Sequence, residues 1–162
     1  MLTSFYQAFA PTSFTLLGLW LVVVQTRHAE WRKSAALRTR AYAVTLNFAL
    51  PGLMSLLSLI DPASKTEWRV AFAAVAIGGL LALGALVLFG QVQGRGNPLA
   101  VLIVALALVG YALVAIVAIA PGITSNLGPS LTALRCEAIL LSLLIFLGVN
   151  VAWLLMFDEA GI

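Results

Sequence analysis

The sequence predicts an all-α integral membrane protein, a bundle of five transmembrane helices. The chain has 162 residues, of which 62% are hydrophobic and 9% charged, whereas soluble domains carry about 45–50% apolar and about 25% charged residues. Nine basic and six acidic side chains are too few to cover a small water-soluble domain. This composition excludes a soluble domain, a disordered tail and a nucleic-acid-binding module. Uninterrupted apolar stretches also exclude a membrane barrel, whose strands alternate apolar and polar residues.

Five stretches of the chain are long enough to cross a bilayer, whose apolar core of about 30 Å needs about 20 mostly apolar residues per helix. They cover residues 8–26, 41–60, 70–91, 98–120 and 131–157. The first stretch begins with proline and hydroxyl residues, so it is either a full span or a partly interfacial helix at the edge of a pore. The connections are short, and we expect a single transmembrane domain over residues 1–162.

The charges predict the orientation of the bundle. Residues 27–40, between the first two stretches, contain five basic residues and one acidic residue, a formal charge of +4. Short basic loops stay in the cytoplasm, so we expect the N-terminus outside and the C-terminus in the cytoplasm, in the cell membrane. The same segment would attract anionic lipid headgroups. The residues assigned to this topology and headgroup role are Arg27, Trp31, Arg32, Lys33, Arg38 and Arg40.

Polar and small side chains form a stripe along the second stretch, with members four, four and three residues apart on one helical face. Apolar side chains gain nothing by leaving lipid, so such a face is typical of a bundle interior. There it either lines a wetted pathway or makes a close helix contact. The first stretch offers further candidates for the same two roles. The Asn47 stripe consists of Asn47, Pro51, Ser55 and Ser58, and the first-stretch candidates are Thr12, Ser13, Thr15 and Gln25.

The third stretch carries a stripe of small residues, which allows two backbones to approach closely, either within the chain or between subunits. In the fourth stretch, we expect the phenol of Tyr111 to find a hydrogen-bond acceptor. In the fifth, the amide of Asn150 either bonds to another helix or narrows a pore. The Gly78 stripe of the third stretch consists of Ala74, Gly78, Ala82 and Ala85.

Two charged residues begin the fifth stretch, Arg135 and Glu137, which we place near the outer interface. Either they reach out to water, or Arg135 pairs with Asp61 or Glu67 on the facing outer turn. Alternatively, one of them forms a charged ring at the outer mouth of a symmetric pore. A dominant ring of Arg135 would favour anions and a dominant ring of Glu137 would favour cations.

The reactive side chains of the sequence do not form a known catalytic pattern. The chain has no H-E-x-x-H spacing, no glycine-rich phosphate loop and no histidine beside a serine or cysteine nucleophile. With a single His28 and a single Cys136, we expect no metal site and no cofactor. The sequence therefore predicts that the protein is not an enzyme.

Two function classes remain. One bundle of five short helices has too little interior for a wide aqueous pore, so a pore needs several copies around an axis. We favour a homo-oligomeric channel that conducts small ions past uncharged polar residues. The alternative is a non-conducting accessory, assembly or lipid-binding scaffold subunit that uses the same stripes as contacts. The expected partners are membrane lipid and further copies of the chain, and not nucleic acid.

Overall fold

The computed structural model describes residues 2–32, 35–60, 64–88, 98–126 and 132–157. Every regular element in these ranges is a helix and none is a strand, which confirms the predicted all-helical class. The bounds are α1 Leu2–Thr26, α2 His28–Trp31, α3 Ala35–Leu57, α4 Lys65–Leu88, α5 Pro98–Ile119, the 3-10 helix Pro121–Asn126, and α6 Ala133–Phe157. Two short elements lie between longer helices: the one-turn helix α2, between α1 and α3, and a 3-10 helix between α5 and α6.

Four of the five long helices, α1, α4, α5 and α6, are long and apolar enough to cross a membrane. The chain is therefore an integral membrane protein. α1 is one helix of 25 residues that continues through Pro11. α3 is not among the four, because its first turns contain Arg38 and Arg40 and its middle contains Asn47.

α3 lies at the centre of the bundle and packs against α1, α4 and α6. α4 packs along α5, α5 packs along α6, and α6 returns to α1. Such a centre allows polar residues on α3, because protein rather than lipid covers them.

Hydrogen bonds between helices define the two ends of the bundle. Tyr6 Oη donates to the carbonyl of Leu134 at 2.9 Å, and the Tyr6 carbonyl accepts from Ser55 Oγ at 2.9 Å. The start of α1, the end of α3 and the start of α6 therefore meet at what we call the Tyr6 end. At the opposite, Arg27 end, Arg27 Nη1 donates to the carbonyl of Met156 at 2.9 Å.

Aromatic side chains fill the interior near both ends. At the Tyr6 end, the ring of Phe72 lies edge-on to Tyr6 at 6.2 Å and to Trp68 at 5.7 Å between centroids. Near the Arg27 end, the rings of Trp20 and Trp31 lie 5.6 Å apart. Edge-to-face and offset rings at these distances stabilise a bundle beyond the apolar area that they bury.

Candidate functional site

The Asn47 stripe lies inside the bundle, and all four of its residues are buried. Ser55 Oγ donates to the Tyr6 carbonyl at 2.9 Å, and Ser58 Oγ donates to the Ser55 carbonyl at 2.7 Å. Asn47 Oδ1 accepts from Tyr111 Oη at 3.4 Å. The structure thus places this stripe in contacts within one chain, not on a surface shared with other copies.

The stripe continues into a close crossing of α1 and α3 around Pro51. Proline has no N–H, so the carbonyl of Asn47, four residues earlier, lacks its usual helical donor. One residue along, the carbonyl of Phe48 accepts from Ser13 Oγ at 2.6 Å. A Cβ on Gly52 would lie 3.0 Å from Ser13 Oγ, so the two backbones approach closely here. Ser13 therefore joins two helices of the bundle. Thr12 and Thr15, which the sequence places in the same candidate pore lining, lie on the other side of α1.

The opposite side of α1 is exposed and carries polar as well as apolar residues. Thr12 and Thr15 point outward, and their hydroxyls donate to the carbonyls of Ala8 and Pro11, each at 2.8 Å. At 3.6 residues per turn, five of the outward polar residues share roughly 140° of the helix circumference, opposite Ser13. We call this set the α1 polar face, and it consists of Ser4, Gln7, Thr12, Thr15 and Gln25. The exposed apolar residues Leu19 and Val22 lie within the same arc.

The outward sides of α4, α5 and α6 are mainly large and apolar, as lipid requires. Examples are Leu81, which is 70% exposed, Leu102, Ile116, Ile139 and Phe146. The α1 polar face differs from this background because hydroxyl and amide groups, which lipid solvates poorly, are interspersed among its exposed apolar side chains. In the sequence, Thr12, Thr15 and Gln25 indicate this face. The pattern does not distinguish them from Ser13, which lies on the opposite side of the helix.

The Gly78 stripe also points away from the bundle. Ala74 and Gly78 are exposed, Ala82 and Ala85 are half-buried, and a Cβ on Gly78 would meet nothing within 4 Å. The sequence allows this stripe to contact a helix of the same chain or a helix of another subunit. At Gly78, no other described helix of the same chain is in contact.

Sequence reasoning missed the interior face of α4, which carries Gly79. A Cβ on Gly79 would lie 2.9 Å from Leu50 Cδ1 and 3.1 Å from the Tyr111 ring, so α4 approaches both α3 and α5 here. From Val70 onward α4 is apolar all round, and its two faces look alike there in sequence. The buried face consists of Phe72, Ala76, Gly79 and Leu83.

The described part of the basic segment lies at the Arg27 end and includes two exposed arginines. Arg32 and Arg38 are exposed, and Arg38 Nη1 donates to the Arg32 carbonyl at 2.9 Å. Arg40 is half-buried at the start of α3. Lys33 lies outside the described residues.

Arg27 and Trp31 are tied to the bundle rather than projecting from it. Arg27 Nη1 donates to the carbonyls of Leu155 and Met156, at 3.1 and 2.9 Å. Its guanidinium carbon lies 5.9 Å from the centre of the Trp31 ring. Trp31, which the sequence predicts at headgroup level, is buried against Trp20. Its indole therefore serves the core more than the bilayer surface.

The two charges at the start of α6 have different surroundings. Arg135 is exposed, whereas Glu137 is 0% exposed. Among the described residues, neither carboxylate oxygen of Glu137 has a hydrogen-bond partner. The nearby Tyr6 hydroxyl donates to the Leu134 carbonyl instead. In a single copy, the carboxylate of Glu137 is therefore not accessible at the surface of the bundle.

Asn150, the remaining polar candidate, bonds within its own helix. Its Nδ2 donates to the Phe146 carbonyl at 2.7 Å, and the side chain is half-buried. The described ranges contain no group of three or more His, Cys, Asp or Glu side chains able to hold a metal ion. The chain matches no protein-family model, no curated protein sequence and no solved structure.

Proposed function

We propose that this protein is the subunit of a homo-oligomeric channel that conducts small ions, with the α1 polar face around the central axis. The single observation that carries the proposal is the position of this face on the outside of the bundle. Hydroxyl and amide groups facing lipid are unfavourable, and association with further copies covers them. The Asn47 stripe does not serve as the lining in this proposal, because its residues are buried within each subunit.

A cyclic arrangement suits the other outward stripe as well. α1 and α4 lie on different sides of α3. If the Gly78 stripe of one subunit contacts a different face of the next subunit, the two surfaces in contact are not the same, and the contact is heterologous. Heterologous contacts that close produce rings. Small residues at Ala74 and Gly78 would let the neighbouring helix approach closely.

We further propose that α3 is a fifth span, so that the Arg27 end is cytoplasmic and the Tyr6 end is outside. In support, α3 runs antiparallel between α1 and α4, and its polar residues are covered by protein. The formal charge of +4 on residues 27–40 favours the cytoplasmic side for the Arg27 end. On this basis we place the protein in the cell membrane.

Ion flux into liposomes tests the channel. Thr15→Leu places a large apolar side chain on the proposed axis and should reduce flux several-fold. Ser142→Leu is a matched control, because Ser142 is exposed on α6 and its hydroxyl also donates to the carbonyl four residues earlier. It should leave flux unchanged. Flux equal to that of empty liposomes from a correctly inserted oligomer, or equal flux from both variants, would contradict the proposal.

One observation favours the non-conducting alternative. The hydroxyls of Thr12 and Thr15 are already bonded within α1, so this face can also pack against a helix of another protein. In a Cys136→Ser background, Thr15→Cys should form a disulfide between copies if the channel proposal is correct, and Ser142→Cys should not. Absence of this disulfide together with co-purification of an unrelated membrane protein would support the accessory-subunit alternative.

A further inference from the structure

An apolar groove of about 170 Å³ opens on the outer surface where α1 and α6 meet. It runs along both helices toward the Arg27 end. Its lining is almost wholly apolar and belongs mainly to two helices that are long and apolar enough to cross a membrane. The lining includes Leu16, Trp20 and Val23 from α1, and Val149, Ala152 and Met156 from α6.

The positively charged side chain of Arg27 lies at the end of the groove. Arg27 follows Val23 by four residues, so it lies on the same side of the helix one turn further on. Its guanidinium is held by the carbonyls of Leu155 and Met156 at the end of α6. It also lies 5.9 Å from the ring of Trp31.

Aromatic contacts connect this cation to the groove wall. Trp31 packs against Trp20 with 5.6 Å between ring centroids, and Trp20 lines the groove. Two further basic residues are exposed at this end, Arg32 after α2 and Arg38 near the start of α3. The groove thus ends beside a basic surface, and the Trp20 and Trp31 rings that join the two are buried.

We propose that the groove and this basic surface together form a binding site for one anionic phospholipid. An acyl chain occupies the groove between α1 and α6, and the phosphate lies at Arg27. The two parts of this ligand match the two parts of the site, because an apolar slot takes the chain and a basic cluster attracts the headgroup. A neutral ligand would leave the basic end unused. The proposal requires the helices to lie in a bilayer but does not depend on ion conduction.

Lipid retention measured by native mass spectrometry tests the site. The detergent-purified protein is exchanged with phosphatidylglycerol or with phosphatidylcholine of the same chain length. We expect wild type to retain phosphatidylglycerol in preference. Arg27→Gln should reduce that preference by about fivefold, as expected for one basic side chain at the bilayer surface. Arg27→Lys, which keeps the charge, should largely preserve it. Arg135→Gln controls for net charge, because Arg135 is exposed at the start of α6, at the opposite end of the bundle.

Filling the groove provides an independent variant. Val149 is 42% exposed and lines the groove, so Val149→Phe should displace the chain of either lipid with little effect on folding. The control is Val109→Phe, at a valine 54% exposed on α5 and away from the groove. Equal retention of both lipids by wild type, or equal retention by the two phenylalanine variants, would overturn the proposal. A change in oligomer size with Val149→Phe and no change in lipid retention would also overturn it, since the groove would then hold a second copy.

Because retention is measured on the purified protein without any flux assay, failure of this proposal is distinguishable from failure of the proposed channel.

Discussion

The hydroxyl of Ser13 on α1 donates a 2.6 Å hydrogen bond to the carbonyl of Phe48 on α3. Ser13 is completely buried, and Gly52 leaves room for it one turn further along α3. The bond therefore joins the first two long helices beside Pro51, where α3 lacks one of its own backbone hydrogen bonds.

Ser13→Ala removes this bond and should lower the free energy of unfolding by about 1 kcal/mol, in the range of hydrogen bonds between membrane helices. Thr12→Ala is the matched control, because its exposed hydroxyl bonds only within α1. It should have almost no effect. Denaturation in detergent measures both variants, and equal effects would show that the contact with Phe48 contributes nothing to stability.

The adjacent glycines of α4 should respond in opposite ways. Gly79→Leu forces a side chain into Leu50 and Tyr111, and should destabilise the bundle by about 1–3 kcal/mol or more. Gly78→Leu meets nothing within the chain, so the folded monomer should tolerate it. Thermal unfolding compares the two variants, and size measurement in detergent shows whether Gly78→Leu disrupts the oligomer. An unfolded Gly78→Leu variant would contradict the outward position of this residue.

The phenol of Tyr6 connects α1 to α6 through its 2.9 Å bond to the Leu134 carbonyl. Tyr6→Phe keeps the ring contact with Phe72 and loses only this bond, at an expected cost of about 1 kcal/mol. The control is Tyr42→Phe, at a tyrosine that is 52% exposed. We expect the unfolding temperature to fall for Tyr6→Phe alone, and no difference between the variants would exclude a stabilising role for the bond.

Glu137 is a buried polar group without a hydrogen-bond partner among the described residues. Glu137→Met retains a similar volume, and should raise the free energy of unfolding by about 1–3 kcal/mol because the desolvation cost is removed. Glu67→Met is the control at an exposed carboxylate in the first turn of α4. It should lower stability by about 0.3–1 kcal/mol through loss of a favourable helix-dipole interaction.

Chemical denaturation of the two glutamate variants in the same detergent compares these opposite signs. A large loss of stability in Glu137→Met would show that the carboxylate has a partner in the membrane, such as a cation or another copy of the chain.

Composition and apolar stretch length predict the helical membrane class well, because lipid leaves so few ways to satisfy the backbone. The pattern of small and polar residues also identifies Ser55 and Asn47 as unusual positions. It does not show which surface covers them, since burial by another helix and exposure to a pore select the same residue types. Likewise, Gly78 and Gly79 are adjacent in sequence, and only the packing of α4 distinguishes the interior glycine from the exterior one.

The role of Glu137 was beyond sequence reasoning for a related reason. Its position near the start of α6 suggests access to water. The rotation of that helix about its axis instead turns the side chain into the bundle, where it is buried. Helix rotation depends on many small contacts with α3 and α5, none of which is encoded locally.

α1 and α6 are joined at both ends, through Tyr6 and Leu134 and through Arg27 and Met156. During translation α1 emerges first of the long helices and α6 last, so these bonds cannot form until all five are made. Until then the Tyr6 phenol lacks its acceptor on α6, and Arg27 lacks the two carbonyls of Leu155 and Met156. Closure of the bundle is therefore a late, long-range event in biogenesis, as folding with distant contacts generally is slow.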